Sequence, residues 1–315
     1  MSAAGSSIKI ATRGSALALA QANFVLAEGK RHFPQQAFEL KIFKTTGDKL
    51  QKASMARIDS TLPRGLFTKE LEDALLNGEA DLAVHSLKDL PTILPDGLKL
   101  GATAKREDVR DVLISKSKFE VSTLPQGATI GTSSTRRTAQ LLERRPDLKL
   151  VAIRGNVGTR LQKLAAQTEL HGTVLAAAGM TRLGFKIGSG GILSGEGIPA
   201  GLFATPIPID EMLPCVGQAA VGIEVREKDK RIETICDKLN DAATWSCVTA
   251  ERAFLRAMGG GCQSAVAAYG EIFGNEIRLR AVSYLGKKIQ RGEMQLPLWQ
   301  AVELGEELAH SLKPK

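Results

Sequence analysis

Within Asp81-Leu82-Ala83-Val84-His85-Ser86-Leu87-Lys88-Asp89-Leu90-Pro91, the side chains of His85, Ser86, Lys88 and Asp89 crowd into one short stretch. An imidazole, a hydroxyl, an ammonium and a carboxylate so close together can move protons and stabilise a developing charge. Leu82 to Val84 is short and apolar and reads as a buried strand. Pro91 disfavours helical geometry at Leu90 and stops the segment. The cluster therefore belongs at the C-terminal end of a strand, where open α/β sheets hold their ligands.

Arginines recur at comparable places. Arg13 follows a strand over Ile8 to Ala11 and precedes a long helix that Ser15 can cap. Thr129 to Gly131 is a strand leading into Ser133, Ser134, Arg136 and Arg137, with Ser134 as the cap. Cations in a first helical turn oppose the helix dipole unless an anion is present. Arg154 and Arg160 follow a strand over Leu150 to Ile153, with Asn156 as the cap, and Arg182 follows one over Val174 to Ala177. Guanidinium forks at helix N-termini suit carboxylates on a small acidic ligand. The Gly-Asn-Val-Gly turn at 155–158 meets neither the dinucleotide nor the P-loop spacing, which excludes a nucleotide on that ground. Cys262 follows Gly259, Gly260 and Gly261 just past a helix. Glycines there let a thiol approach a ligand closely, so a covalently modified thiol and an inert loop cysteine both remain open. No histidine lies in a motif that would activate it.

The elements that position these residues alternate between strand and helix, which argues for α/β sheets with parallel strands. A second strand spans Phe38 to Lys44, and Gly65-Leu66-Phe67-Thr68-Lys69-Glu70-Leu71 opens a helix that runs to Asn77-Gly78. Thr46 to Arg64 is polar and aperiodic and reads as a flap over a cleft. Leu98 to Thr103 closes a first lobe and Val112 to Ile114 opens a second. Gln218 to Val225 returns the chain to the first lobe. Helices through Arg231 to Leu239 and through Phe254, strands at 266–272, 276–284 and 288–294, and a helix over 298–312 complete the chain.

The length of 315 residues calls for more than one core. The net charge of +8 is spread along the chain, without an aromatic-studded basic stretch, and fits an acidic small molecule better than nucleic acid. Met1 to Ser7 lacks the pattern of a secretory signal, and no apolar run is long enough to span a bilayer. The four cysteines lack disulfide or zinc spacing, which points to a reducing cytoplasm and no metal; Cys236 and Cys247 read as core residues.

Six stretches together resemble the porphobilinogen deaminase, or hydroxymethylbilane synthase, family. They are Ile10-Ala11-Thr12-Arg13, Gly65-Leu66-Phe67-Thr68-Lys69-Glu70-Leu71-Glu72, Val84 to Pro91, Gly131-Thr132-Ser133-Ser134-Thr135-Arg136-Arg137, Arg154-Gly155-Asn156-Val157-Gly158-Thr159-Arg160, and Gly260-Gly261-Cys262-Gln263. The resemblance covers nearly the whole chain in the family's order. It implies an α/β fold of three domains: two lobes like those of a periplasmic binding protein with a cleft between them, and a small α+β domain. The boundaries expected are 1–104 plus 218–239 for the first lobe, 105–217 for the second, and 240–315 for the domain carrying the cysteine loop. The resemblance further implies a dipyrromethane cofactor attached through a thioether to Cys262, onto which porphobilinogen units are deaminated and joined head to tail. Asp89 would be the catalytic carboxylate. Ser86, Lys88, Asp89, Ser133, Ser134, Arg136, Arg137 and Arg160 would hold the cofactor with Cys262. Arg13, Ser15, Lys69, Arg154 and Arg182 would hold substrate. Changing Arg136 or Arg137 to leucine should then weaken cofactor assembly or substrate binding more than folding. Where relatives often have Val-Pro after Gln263, this chain has Ser264-Ala265-Val266, a local change of packing beside the thiol. The family implies a monomer in the cytoplasm with no nucleic-acid or membrane partner. The rival is a non-catalytic two-lobed binder of an acidic small molecule, which leaves the Gly-Gly-Cys loop and Asp89 unexplained.

Overall fold

A computed structural model describes residues 7–47, 67–261 and 264–313. Most of the expected flap, Cys262 and Gln263 lie outside the described residues. The chain divides into two compact units, Met1–Arg106 with Ala220–Trp245, and Glu107–Ala219 with Ser246–Lys315.

The first unit holds strands β1 (Ile8–Arg13), β2 (Phe38–Phe43), β3 (Leu82–Ser86), β4 (Leu98–Thr103) and, from the returning segment, β12 (Val221–Arg226). They form one sheet in the order β2-β1-β3-β12-β4. Its helices are α1 (Ala16–His32), α2 (Lys69–Leu76) and α6 (Lys230–Leu239). Alternation along the strands sends side chains to opposite faces. Ile8, Ile10, Leu82 and Val84 pack with Ala22, Val25, Ile232 and Ile235 of α1 and α6. Ala11 and Ala83 pack on the other face with Leu71, Ala74 and Leu75 of α2. The Ser15 hydroxyl caps α1 by accepting the Ala18 N–H (3.3 Å), and Lys30, Arg31 and His32 complement the dipole in its last turn.

The second unit holds a sheet in the order β11-β5-β8-β6-β7. Its strands are β5 (Asp111–Ser115), β6 (Thr129–Gly131), β7 (Lys149–Val151), β8 (Gly172–Ala176) and β11 (Phe203–Pro206). Helices α3 (Thr135–Arg144), α4 (Val157–Ala166) and α5 (Ala177–Arg182) accompany it. The glycine-rich stretch after α5 forms a short ladder between β9 (Lys186–Ile187) and β10 (Leu193–Ser194). An antiparallel sheet of β13 (Val266–Phe273), β14 (Glu276–Ser283) and β15 (Gln290–Pro297) completes the unit. It packs on α7 (Ala242–Ala257) and α8 (Ala301–Leu312) around Phe254, Leu279, Leu304 and Leu308.

Three expectations need correction. Both large sheets are mixed: β12 runs antiparallel to β3 and β4, and β5 runs antiparallel to β8 and β11. Apolar alternation reports which faces are buried and carries no information on strand direction. β3 extends through His85 and Ser86, so only Lys88 and Asp89 sit beyond it, in a 3₁₀ turn over Leu87–Asp89. The last helix begins at Ala301, after a 3₁₀ turn over Leu298–Gln300 that follows Pro297.

Candidate active site

In the first unit, β1 runs parallel to β3, pairing Ile10 with Leu82 and Ala11 with Ala83. The C-terminal ends of the two strands therefore share one sheet edge. That edge collects Arg13 and Ser15 after β1, and Ser86, Lys88 and Asp89 at the end of β3. The Gln21 amide of α1 donates to the Ser86 hydroxyl (2.9 Å), which ties the end of β3 to the helix that follows β1. Arg13 stacks over the Phe67 ring at 4.2 Å, just ahead of α2 and its exposed first residue, Lys69. Asp89 is exposed, and its carboxylate has no hydrogen-bond or ion-pair partner among the described residues.

The turn bearing Asp89 is anchored to the segment that leads through β12. The Leu87 N–H donates to the Ala220 carbonyl (3.0 Å). The buried His85 ring donates from Nε2 to Oε2 of the buried Glu224 (2.9 Å). Between these, Gly222 leaves room for Leu87: a Cβ there would come within 2.9 Å of Leu87 Cδ1 and 3.2 Å of Leu100 Cδ1. Gly222→Ala should lower stability by about 1–3 kcal/mol through overpacking and displace the turn. Thermal melting checks the first effect and turnover the second; an alanine variant matching the parent in both would show that Leu87 yields freely.

In the second unit, β6 runs parallel to β7 and to β8. Their C-terminal ends again share an edge, which carries Ser133, Ser134, Arg136 and Arg137 after β6, Arg154 and Arg160 after β7, and Arg182 one short helix beyond β8. Ser134 and Asn156 cap α3 and α4 as expected, accepting the Arg137 and Thr159 N–H groups. Exposed Ser133 donates to the Ile153 carbonyl (2.9 Å), tying one strand end to the next. Arg154 is exposed, whereas Arg160 donates from Nε to the Gly155 carbonyl (2.8 Å). Arg182 donates to the Ala219 carbonyl (2.6 Å), where a non-glycine residue sits at φ 70°.

Arg136 and Arg137 do have an anion, and the chain itself supplies it. Arg136 donates to Asp111 Oδ2 (2.8 Å), and Arg137 donates to Asp111 Oδ1 from NH2 (2.7 Å) and Nε (3.2 Å). Arg136 also reaches the Leu213 carbonyl and Arg137 the Val174 carbonyl. All three side chains are buried. Burial alone would raise the Asp111 carboxyl, but the two guanidiniums outweigh it and hold the acid well below the usual carboxylate range. Leucine at either arginine would orphan a buried charge, so folding carries the loss, contrary to the expectation from sequence. Sequence reasoning missed both Asp111 and the His85–Glu224 pair. The available signal was a charged residue at the mouth of, or inside, an apolar strand: Asp111 before Val112, and Glu224 within Val221–Val225.

The cysteine loop is described up to its flanks. The Gly261 N–H donates to the Ser264 hydroxyl (2.9 Å) and the Ser264 N–H to the Gly261 carbonyl (2.9 Å). Ser264 thus ties the two flanks together through its own side chain. Gly259 lies at φ +69°, and a Cβ on Gly261 would meet nothing within 4 Å.

The chain matches two family models: "Porphobilinogen deaminase, dipyromethane cofactor binding domain" over residues 8–234 and "Porphobilinogen deaminase, C-terminal domain" over 245–314. Among curated relatives it is 43% identical to the porphobilinogen deaminase of Desulforamulus reducens, over 97% of this chain and 94% of that one. It is 44% identical to that of Syntrophus aciditrophicus, with the same coverage. Among solved structures, the VFT2 domain of Bordetella pertussis BvgS matches at 14% identity and a TM-score of 0.42, covering 74% of this chain and 86% of that one, too loose a likeness to bear an argument.

Proposed function

The chain belongs to the porphobilinogen deaminase family, and on that premise we propose how its own residues divide the work. It is a transferase, hydroxymethylbilane synthase, which deaminates porphobilinogen and polymerises it head to tail on a dipyrromethane primer, releasing linear hydroxymethylbilane and ammonia. When bound, the dipyrromethane supplies the free pyrrole carbon from which the chain grows. The residues present fit such a group, because cations and hydroxyls lie at the C-terminal strand edges of both sheets. Cys262 would hold it through a thioether, and Ser86, Lys88, Ser133, Ser134 and Arg160 would bind its carboxylates. Arg136 and Arg137 would contribute the N–H groups left over from Asp111. Arg13, Ser15, Lys69, Arg154 and Arg182 would receive the carboxylates of incoming substrate.

Asp89 is the proposed centre of the chemistry. An ionised carboxylate beside a pyrrole N–H stabilises the positive charge that develops on the substrate as ammonia departs. The same carboxylate can then take up the proton lost after coupling. The observation that carries this assignment is its place: an exposed carboxylate on a braced turn at the C-terminal edge of β3. We further propose domains at 1–104 with 218–239, 105–217 and 240–315. A monomer in the cytoplasm, acting without nucleic acid or membrane, fits this chemistry. No helix among the described residues is long and apolar enough to cross a membrane.

Intact mass decides the attachment. The purified protein should weigh more than its sequence by two linked pyrrole units, and Cys262→Ser should lack that excess and turn over no porphobilinogen. An excess mass retained in the serine variant would move the attachment elsewhere. No excess on the parent, even after incubation with porphobilinogen, would favour the non-catalytic binder of an acidic ligand.

A further inference from the structure

Behind the turn that carries Asp89 lies a group of buried ionisable side chains with no part in the scheme above. His85 of β3 is 5% exposed, Glu224 of β12 0%, and Glu72 of α2 7%. In the register of β12 against β3, Glu224 lies opposite Ala83 and His85 opposite Gly222. Ala83 packs against α2, and strand alternation points His85 to the same side, so the group sits between sheet and helix. One Glu224 oxygen is hydrogen-bonded to His85; the other, and Oε1 of Glu72, are buried without a hydrogen-bond partner among the described residues. Two ionised carboxylates packed together in this buried group would hold like charge out of water, which is expensive. A proton retained on one of them removes that cost.

Glu72 is the one to keep it. Burial pushes its carboxyl up, with Glu224 and Asp73 adding to the shift, while the Thr68 hydroxyl and His85 offset part of it. One Glu224 oxygen is already engaged by the His85 ring at 2.9 Å, whereas Oε1 of Glu72 has no such partner among the described residues. The cluster also joins two parts of the proposed site: α2 opens with Lys69, and His85 lies two residues before Leu87, whose N–H and side chain are held at Ala220 and Gly222.

We propose that Glu72, His85 and Glu224 form a proton-holding cluster, with Glu72 protonated and Glu224 hydrogen-bonded to His85, that positions the turn bearing Asp89. They are positioning residues and touch no substrate; the proposal rests on the assignment of Asp89 to the chemistry. The titratable groups around Glu72 are Asp73 on its own helix, His85 on β3 and Glu224 on β12.

An acid whose folded pKa is raised gives its full stability below the unfolded value, and that stability is lost as pH rises through the folded value. Glu72→Gln keeps the shape and fixes the neutral state. Its melting temperature should match the parent's at about pH 4 and exceed it increasingly as pH rises above the ordinary carboxylate range. Porphobilinogen turnover should stay within about twofold at neutral pH, and its alkaline fall should begin at higher pH than in the parent. Glu224→Gln removes the carboxylate that bonds His85 and should lower kcat about tenfold with KM within about twofold. If Glu224→Gln fails to fold, the two pH profiles of Glu72→Gln decide alone. A stability gap independent of pH, or superimposable turnover profiles, would overturn the proposal. Failure of the Asp89 assignment would look different: Asp89→Asn would retain turnover while the Glu72→Gln stability profile still diverged from the parent's.

Discussion

Asp89→Ala should fold and melt like the parent and turn over porphobilinogen at least about a thousandfold more slowly, a loss of about 4 kcal/mol of transition-state stabilisation. Stability should hold because Asp89 is exposed and its carboxylate has no partner among the described residues, so removing it orphans no buried group. Activity should collapse because one carboxylate is asked to do two things: offset the cation that forms as ammonia leaves, and accept a proton after coupling. Lys88 beside it cannot substitute, since an ammonium repels that cation. Asp89→Asn separates the two effects of charge and shape, retaining the size and a hydrogen-bonding oxygen without the negative charge. It should be nearly as slow as alanine if charge dominates. Steady-state rates with matched melting curves provide the check, and near-normal turnover by the alanine variant would remove Asp89 from the chemistry.

Much of this site could be read before any coordinates. Strand-to-helix turns announce themselves locally, through a short apolar run followed by a capping serine or asparagine, and Ser15, Ser134 and Asn156 all cap as their neighbours imply. The arginines follow from the same turns. What stayed hidden are pairings that depend on sheet order. Glu224 meets His85 across 139 residues because β12 inserts between β3 and β4, and nothing local to either residue encodes that neighbour. Asp111 meets Arg136 and Arg137 across β8, which stands between β5 and β6. A first-turn arginine pair demands an anion on dipole grounds alone, but the demand is the same whether the anion is a ligand or an aspartate. Only the fold distinguishes them.

The Asp111 pairing gives the largest expected effect on folding. Asp111→Asn leaves two guanidiniums buried with only carbonyls and one amide oxygen in reach, and breaking a buried pair from one side typically costs about 3–5 kcal/mol. For a unit of this size that should lower the melting temperature by roughly 10 °C or more. The variant also loses the Gln218 amide contact to Asp111 Oδ1 (3.1 Å), which helps secure the segment leading back to β12. Acid should act in a related way on the parent. The Asp111 acid is depressed in the fold, so its contribution is present above the ordinary carboxylate range and is lost as pH falls toward its lowered value. The gap in stability between parent and Asp111→Asn should therefore be wide at neutral pH and narrow under strong acid. Arg137→Leu should be destabilised as well, and combining it with Asp111→Asn should cost less than the sum of the two, because each single change strands the other partner's charge. Additive losses in that double-mutant cycle would show that the aspartate and the arginine act separately, and would leave the ligand as the main partner of Arg137.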